Sequence, residues 1–127
     1  MLFMTRLLTL CAGLMGAGGV TLAAYAAHAQ GGGNLTTASQ FLLFHAAPVA
    51  AIAFAAPQRL RILAGALLVL GAILFSGDLT LRAIWGIAPW RMAAPTGGTV
   101  LILGWLVLAL SPTQRPAGEK AGETHSS

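Results

Sequence analysis

An apolar segment in the middle of the chain reads Gly71-Ala-Ile-Leu-Phe-Ser-Gly-Asp-Leu-Thr-Leu-Arg82, with one carboxylate and one guanidinium near its end. Asp78 and Arg82 are four residues apart, so on an α-helix they share one face and can pair. An ionised Asp within a hydrophobic helix costs about 3 kcal/mol on insertion scales unless protein, water or a partner charge surrounds it. We therefore expect Asp78 to point into a helical bundle, paired with Arg82 and near His45 or His28.

The composition indicates a membrane protein. Of the 127 residues, 57% are hydrophobic and 8% are charged, which is too little charge to cover a soluble surface. Apolar segments at about residues 7–27, 37–56, 62–84 and 94–111 each approach the ~20 residues that cross a ~30 Å hydrocarbon core. These segments predict an all-α, integral membrane four-helix bundle over residues 1–111, followed by a disordered cytoplasmic tail over residues 112–127.

The boundaries of the first two segments depend on local signals. Residues 1–29 resemble a signal peptide, because Arg6 precedes a long apolar run and Ala27-His28-Ala29 forms a small-residue cleavage pattern. The run is longer than a usual signal core of ~7–15 residues, so we favour a retained helix over cleavage. Thr37 and Gln40 match a capping box, which predicts that the second helix begins at Thr37.

Basic residues fall unequally on the two sides of the predicted bundle. One side, with both termini and the second loop, carries Arg6, Arg59, Arg61, Arg115 and Lys120, and the other side carries Arg82 and Arg91. Cytoplasmic loops are enriched in Lys and Arg, so both termini are expected in the cytoplasm. Because these charges lie at segment ends, they indicate topology rather than a nucleic-acid surface.

Polar groups and glycines inside the apolar segments are the candidate functional residues. The candidate polar cluster is His28, His45, Ser76, Asp78 and Arg82. Counted from the predicted helix ends, His45 and Asp78 lie roughly 12 and 9 Å below the same membrane face, which allows them to meet. A lone intramembrane His is also often just a hydrogen-bonding contact between helices. The glycines predicted to pack helices are Gly13, Gly16, Gly71, Gly77, Gly97 and Gly98.

Four short motifs resemble those of a known family. They are Ala24-Tyr25-Ala26-Ala27-His28, Phe44-His45-Ala46, Leu74-Phe75-Ser76-Gly77, and Pro95-Thr96-Gly97-Gly98 followed by Gly104-Trp105. Their order and spacing across about residues 5–111 resemble the domain-of-unknown-function 423 family, which is transmembrane protein 256-like. The resemblance implies a small four-helix protein, in most members of the bacterial inner membrane, without an established activity. Two departures are that the family's helix-1 glycines are alanines here and that Asp78 stands where serine is usual.

Three classes of function fit these residues. We favour a structural or accessory component of the inner membrane that contacts the lipid bilayer and a membrane-protein partner or a second copy, because small residues abound and reactive groups are few. The alternative is a small proton or solute conduit that uses His28, His45 and Asp78. An enzyme is the least favoured class. No catalytic residue, metal site or cofactor is predicted, since no segment carries two metal ligands at helical spacing and nucleophile motifs are missing.

Overall fold

The computed structural model describes residues 1–30 and 32–113, and four α-helices form in this part of the chain. The helices are α1 (Leu2–His28), α2 (Gly33–Phe54), α3 (Arg59–Trp85) and α4 (Ala93–Ala109). No strand occurs among the described residues, so the prediction of an all-α four-helix protein is confirmed. The predicted tail over residues 112–127 lies outside the described residues except for its first two positions.

Three of the helices are long and apolar enough to cross a membrane: α1, α2 and α3, with 27, 22 and 27 residues. The fourth helix is apolar but has 17 residues. At 1.5 Å per residue it is about 25 Å long, slightly less than a ~30 Å hydrocarbon core. The fold is therefore a membrane bundle with three full-length spans and one shorter helix, and its orientation in the membrane stays a prediction.

The second helix begins at Gly33, four residues before the start that the capping pattern predicts. The Thr37 hydroxyl donates at 3.0 Å to the carbonyl of Gly33 and makes no cap, so the prediction of a capping box is wrong. A helix entering a bilayer satisfies its backbone groups internally, and glycine at a helix end costs little. As a consequence, His45 lies twelve residues from the helix start, about 18 Å along the helix rather than the predicted 12 Å.

The helices pack in chain order, with α2 and α3 at the centre. The first helix packs along α2, α2 along α3 and α3 along α4, while α1 and α3 share a smaller contact. We call the end that carries the α1–α2 and α3–α4 connections the two-loop end, and the opposite end the termini end. The buried core contains Leu8, Ala12, Met15, Val49, Ile52, Ala64, Leu68, Ala72 and Leu101. Many large apolar side chains, such as Phe3, Leu14, Phe44 and Phe54, are exposed on the outside, as expected of a bundle in lipid.

Two of the predicted packing glycines allow α3 and α4 to approach closely. A Cβ atom on Gly71 would lie 2.8 Å from the Gly97 carbonyl oxygen, and one on Gly97 would lie 2.6 Å from the Phe75 amide nitrogen. Neither position has room for a side chain, so the prediction that both pack helices is confirmed. Other close glycine contacts, which the sequence analysis did not identify, occur at Gly19, Gly65 and Gly104.

The other predicted packing glycines do not bring helices of this bundle together. Nothing in the described part of the chain lies within 4 Å of a Cβ atom built on Gly13, Gly16 or Gly77. The nearest atom to such a Cβ on Gly98 is in the Phe75 ring, at 4.0 Å. Within this bundle, Gly13, Gly16 and Gly77 therefore have no close contact among the described residues, and Gly98 makes an ordinary contact. The number of glycines in a helix does not show which face of that helix points into the bundle.

Candidate functional site

The Asp78–Arg82 pair forms on α3 near the two-loop end. Arg82 Nε donates to Asp78 Oδ2 at 2.7 Å, as expected of opposite charges one helical turn apart. The Asp78 side chain is 1% exposed, whereas the Arg82 side chain is 37% exposed. The predicted pairing is confirmed: the carboxylate is enclosed by protein, and the guanidinium reaches the surface.

One oxygen of the Asp78 carboxylate has no hydrogen-bond partner in the described part of the chain. Oδ1 is buried and accepts no hydrogen bond from the described residues. A cavity of about 260 Å³ lies beside the pair, and Asp78, Gly77, Leu81, Trp90 and Ala93 are among its lining residues. An unpaired buried acceptor costs roughly 1–3 kcal/mol, and more when it is charged. The described residues thus use only part of the hydrogen-bonding capacity of the Asp78 carboxylate.

His45 is buried in the middle of the bundle, where both of its ring nitrogens have partners. Nδ1 lies 2.7 Å from the Phe41 carbonyl oxygen, and Trp105 Nε1 donates to Nε2 at 3.2 Å. Because an indole N–H can only donate, Nε2 must accept and Nδ1 must carry the proton. His45 is therefore a neutral imidazole that joins α2 to α4, a pairing that we call the His45–Trp105 clasp.

The clasp and the Asp78–Arg82 pair are far apart. Ser76 Oγ donates to the Ala38 carbonyl at 3.0 Å, which places these two residues at the same depth on α3 and α2. Asp78 lies two residues from Ser76 toward the two-loop end, and His45 lies seven residues from Ala38 in the opposite direction. At 1.5 Å per residue, the two groups are about 13 Å apart along the bundle. The prediction that Asp78 lies near His45 is wrong, and the early start of α2 accounts for about 6 Å of this separation.

Apart from the Asp78–Arg82 pair, the residues of the predicted polar cluster thus occupy separate places. Ser76 uses its hydroxyl to join α3 to α2. His28 is the last residue of α1 and is exposed, and it is not a hydrogen-bond partner of Asp78. Among the described residues, no group of three His, Cys, Asp or Glu side chains could hold a metal ion.

Trp105 is the residue of the clasp that the sequence analysis did not assign. The sequence did contain a signal for Trp105, because Gly104-Trp105 belongs to the fourth motif. The neighbouring Gly104 lies close to α3: a Cβ atom there would lie 3.0 Å from the Leu68 side chain. Aromatic rings extend the clasp toward α3: the centroids of Phe41 and His45 are 5.7 Å apart, and those of Phe41 and Phe75 are 4.2 Å apart. The second, third and fourth motifs therefore converge around His45.

Comparison with known proteins identifies the family. The family model described as "Protein of unknown function (DUF423)" matches residues 22–98, more than half of the chain. The UPF0382 inner membrane protein YgdD of Escherichia coli strain K12 is 28% identical over 114 residues, which cover 82% of this chain and 87% of YgdD. The YgdD protein of Shigella flexneri matches with the same values. No solved structure matches the chain. The protein therefore belongs to the DUF423 family of unknown function, and it is a multi-pass protein of the inner membrane.

Proposed function

We propose that this protein is a structural or accessory component of the inner membrane, without enzymatic activity, which acts by contact with a membrane-protein partner or with a second copy of itself. The observation that carries the proposal is the His45–Trp105 clasp. His45 Nδ1 bonds to the Phe41 carbonyl within α2, and Nε2 accepts from Trp105 of α4, so the second bond joins two helices. Protonation of Nε2 would break the bond to Trp105, which argues against a role in proton transfer.

The other interior polar and glycine residues support the same function. Ser76 joins α3 to α2 through the Ala38 carbonyl, and Gly71 and Gly97 let two backbones come together. Hydrogen bonds and small residues are the means by which membrane helices associate in the absence of a hydrophobic driving force. Of the buried polar groups discussed, all but the Asp78–Arg82 pair thus serve the rigidity of the bundle.

The alternative function, a proton or solute conduit, has one observation in its favour, the unpaired Oδ1 of Asp78. A relay between Asp78 and His45 would have to cross about 13 Å along the bundle, whereas one hydrogen bond spans about 3 Å. The distance therefore favours the accessory function over a conduit built on these two groups.

Reconstitution tests this choice directly. The full chain is placed in liposomes that contain a pH-sensitive dye, and a pH gradient with a potassium diffusion potential is applied. We expect no proton flux above that of empty liposomes, and a stable dimer or a stoichiometric partner when the protein is cross-linked in its own membrane before solubilisation. If the wild type shows proton flux and a folded Asp78→Asn variant does not, the accessory function is overturned in favour of the conduit.

The proposal includes an orientation with both termini in the cytoplasm. The termini end carries Arg6, Arg59 and Arg61, and Arg61 Nη2 donates to the Pro112 carbonyl at 2.9 Å, so the α2–α3 connection and the end of α4 lie together. Single cysteines at Ala56→Cys and Ile87→Cys, in a Cys11→Ala background, test this orientation. An impermeant maleimide is added to spheroplasts, whose inner membrane is intact. It should label the cysteine at position 87 and leave the cysteine at position 56 unlabelled. The reverse pattern would contradict the orientation.

A further inference from the structure

The cavity beside Asp78 has an apolar body of membrane dimensions. Ile73, Gly77 and Leu81 of α3 form one side of it. From Ile73 to Leu81 the helix rises about 12 Å, close to the ~15 Å hydrocarbon depth of one leaflet of a ~30 Å core. Because the Ile73 side chain is exposed, this side of the cavity is accessible from the lipid. Its length and apolar lining suit a single acyl chain.

The charged side chain that lines the cavity is Asp78, and its partner Arg82 lies beside the cavity without lining it. Asp78 Oδ1 is a buried acceptor that no described residue satisfies. Arg82 uses Nε for its bond to Oδ2, and its Nη1 and Nη2 atoms donate to no described residue. A guanidinium carries five N–H groups in a planar fork that suits phosphate. The pair is electrically neutral overall, and it leaves one buried acceptor and several donors without a partner among the described residues.

The start of α4 adds a second attraction for an anionic group. Ala93, the first residue of α4, lines the cavity, and this helix has no side-chain cap on its first turn. The Ala93 N–H donates to the Trp90 carbonyl, and Pro95 has no N–H. The attraction for an anionic group therefore comes mainly from the positive end of the helix dipole. Trp90, which is half exposed on the same lining, is a residue type that is enriched at membrane–water interfaces.

We propose that this cavity binds one zwitterionic phospholipid whose headgroup carries a primary ammonium. The ammonium donates to Asp78 Oδ1, the phosphate accepts from the Nη atoms of Arg82 near the first turn of α4, and one acyl chain lies along Gly77 and Leu81. A choline headgroup carries the same charge but has no N–H to donate. An anionic headgroup adds a net charge and no cation for Asp78. This site goes beyond the accessory function and does not depend on it.

Native mass spectrometry of the purified, delipidated full chain tests the proposal. The chain is titrated with phosphatidylethanolamine, phosphatidylcholine and phosphatidylglycerol that carry identical acyl chains. We expect one phosphatidylethanolamine to bind at a concentration about tenfold lower than the other two lipids, which is the effect of one charged hydrogen bond. In Asp78→Asn this preference should fall to about twofold or less, since the amide carries no charge to attract the ammonium.

A pair of glycine variants tests the cavity without altering its charges. Gly77 lines the cavity, and Gly16 lies on α1, and both have open space beyond their Cα atoms in the described chain. Gly77→Leu should fill the cavity and weaken binding of the first phosphatidylethanolamine at least tenfold, whereas Gly16→Leu should leave it unchanged. Thermal unfolding in detergent verifies that each variant is folded.

Three results would overturn the proposal. The first is equal binding of the three lipids by the wild type, which is expected if a water molecule or a rotation of Arg82 satisfies Oδ1. The second is an undiminished preference for phosphatidylethanolamine in a folded Asp78→Asn variant. The third is equal lipid binding by Gly77→Leu and Gly16→Leu, and this comparison decides the matter if Asp78→Asn does not fold.

Discussion

His45 and Asp78 are both buried polar residues on neighbouring central helices, but the protein satisfies them to different degrees. Both nitrogens of His45 have partners, on its own helix and on α4. Asp78 has a partner for Oδ2 on its own helix and none for Oδ1 among the described residues. A fully satisfied group rigidifies a bundle, whereas a partly satisfied one is costly. The comparison indicates that the His45 region stabilises the bundle. The Asp78 region keeps an acceptor that a molecule outside this chain can use.

The largest effect is expected from Gly97→Leu, which disrupts the α3–α4 contact between the two regions. A Cβ atom there would lie 2.6 Å from the Phe75 amide nitrogen, so the helices must separate. Forced overpacking costs about 1–3 kcal/mol and sometimes more, and we expect the upper end because the obstacle is backbone. Unfolding followed by circular dichroism during titration with a denaturing detergent measures the loss.

The neighbouring glycine is the control for this prediction. At Gly98 the nearest atom to an added Cβ would be 4.0 Å away, in the Phe75 ring, so Gly98→Leu should cost less than about 1 kcal/mol. Equal stability losses in the two variants would show that α3 and α4 are not held together at Gly97.

An intermediate effect is expected when the His45–Trp105 clasp is broken. Trp105→Phe leaves Nε2 of His45 without a donor in an apolar interior, and His45→Leu leaves the indole N–H without an acceptor. Interhelical hydrogen bonds in membranes contribute about 0.6 kcal/mol on average and up to about 1.7. We expect a coupling free energy near 1 kcal/mol in the double-mutant cycle, measured by detergent-induced unfolding.

A tryptophan outside the clasp provides the comparison. Trp85 is 64% exposed at the end of α3, and Trp85→Phe removes an indole without affecting His45. Its double-mutant cycle with His45→Leu should show coupling close to zero. If the Trp105 cycle also shows no coupling, the clasp does not stabilise the bundle and the principal support for the accessory function is lost.

The sequence predicts local features of this protein better than distant ones. The spans follow from apolar length, and the Asp78–Arg82 bond follows from i,i+4 spacing on one helix. The clasp joins residues 60 positions apart, and its depth depends on where α2 begins. The Thr37–Gln40 capping pattern predicted a later start, and this error of four residues shifted the predicted position of His45 along α2 by about 6 Å. Which glycines face inward likewise depends on helix rotation, which composition does not specify.

The smallest effect on stability is expected at the Asp78–Arg82 pair. Asp78→Asn should cost about 0.5–1 kcal/mol, because Arg82 is partly exposed and its long side chain can reach the interface without its partner. The double variant Asp78→Ser with Arg82→Leu should recover much of this loss, since replacing a buried ion pair with uncharged groups is often neutral or stabilising. Detergent-induced unfolding of the wild type, Asp78→Ser, Arg82→Leu and the double variant gives the coupling.

The outcome of this cycle also bears on the comparison between the two regions. If Asp78 were held as firmly as His45, removing the pair would destabilise the bundle by as much as removing the clasp, and the double variant would not recover. Coupling above about 2 kcal/mol would exceed that of measured membrane pairs and would make Asp78 a structural residue. Weak coupling combined with a lost preference for phosphatidylethanolamine would instead separate stability from binding, because the same carboxylate would contribute little to the fold and much to the lipid. Measuring both quantities on the same four proteins is therefore the sharpest test of whether the unsatisfied oxygen of Asp78 has a binding role.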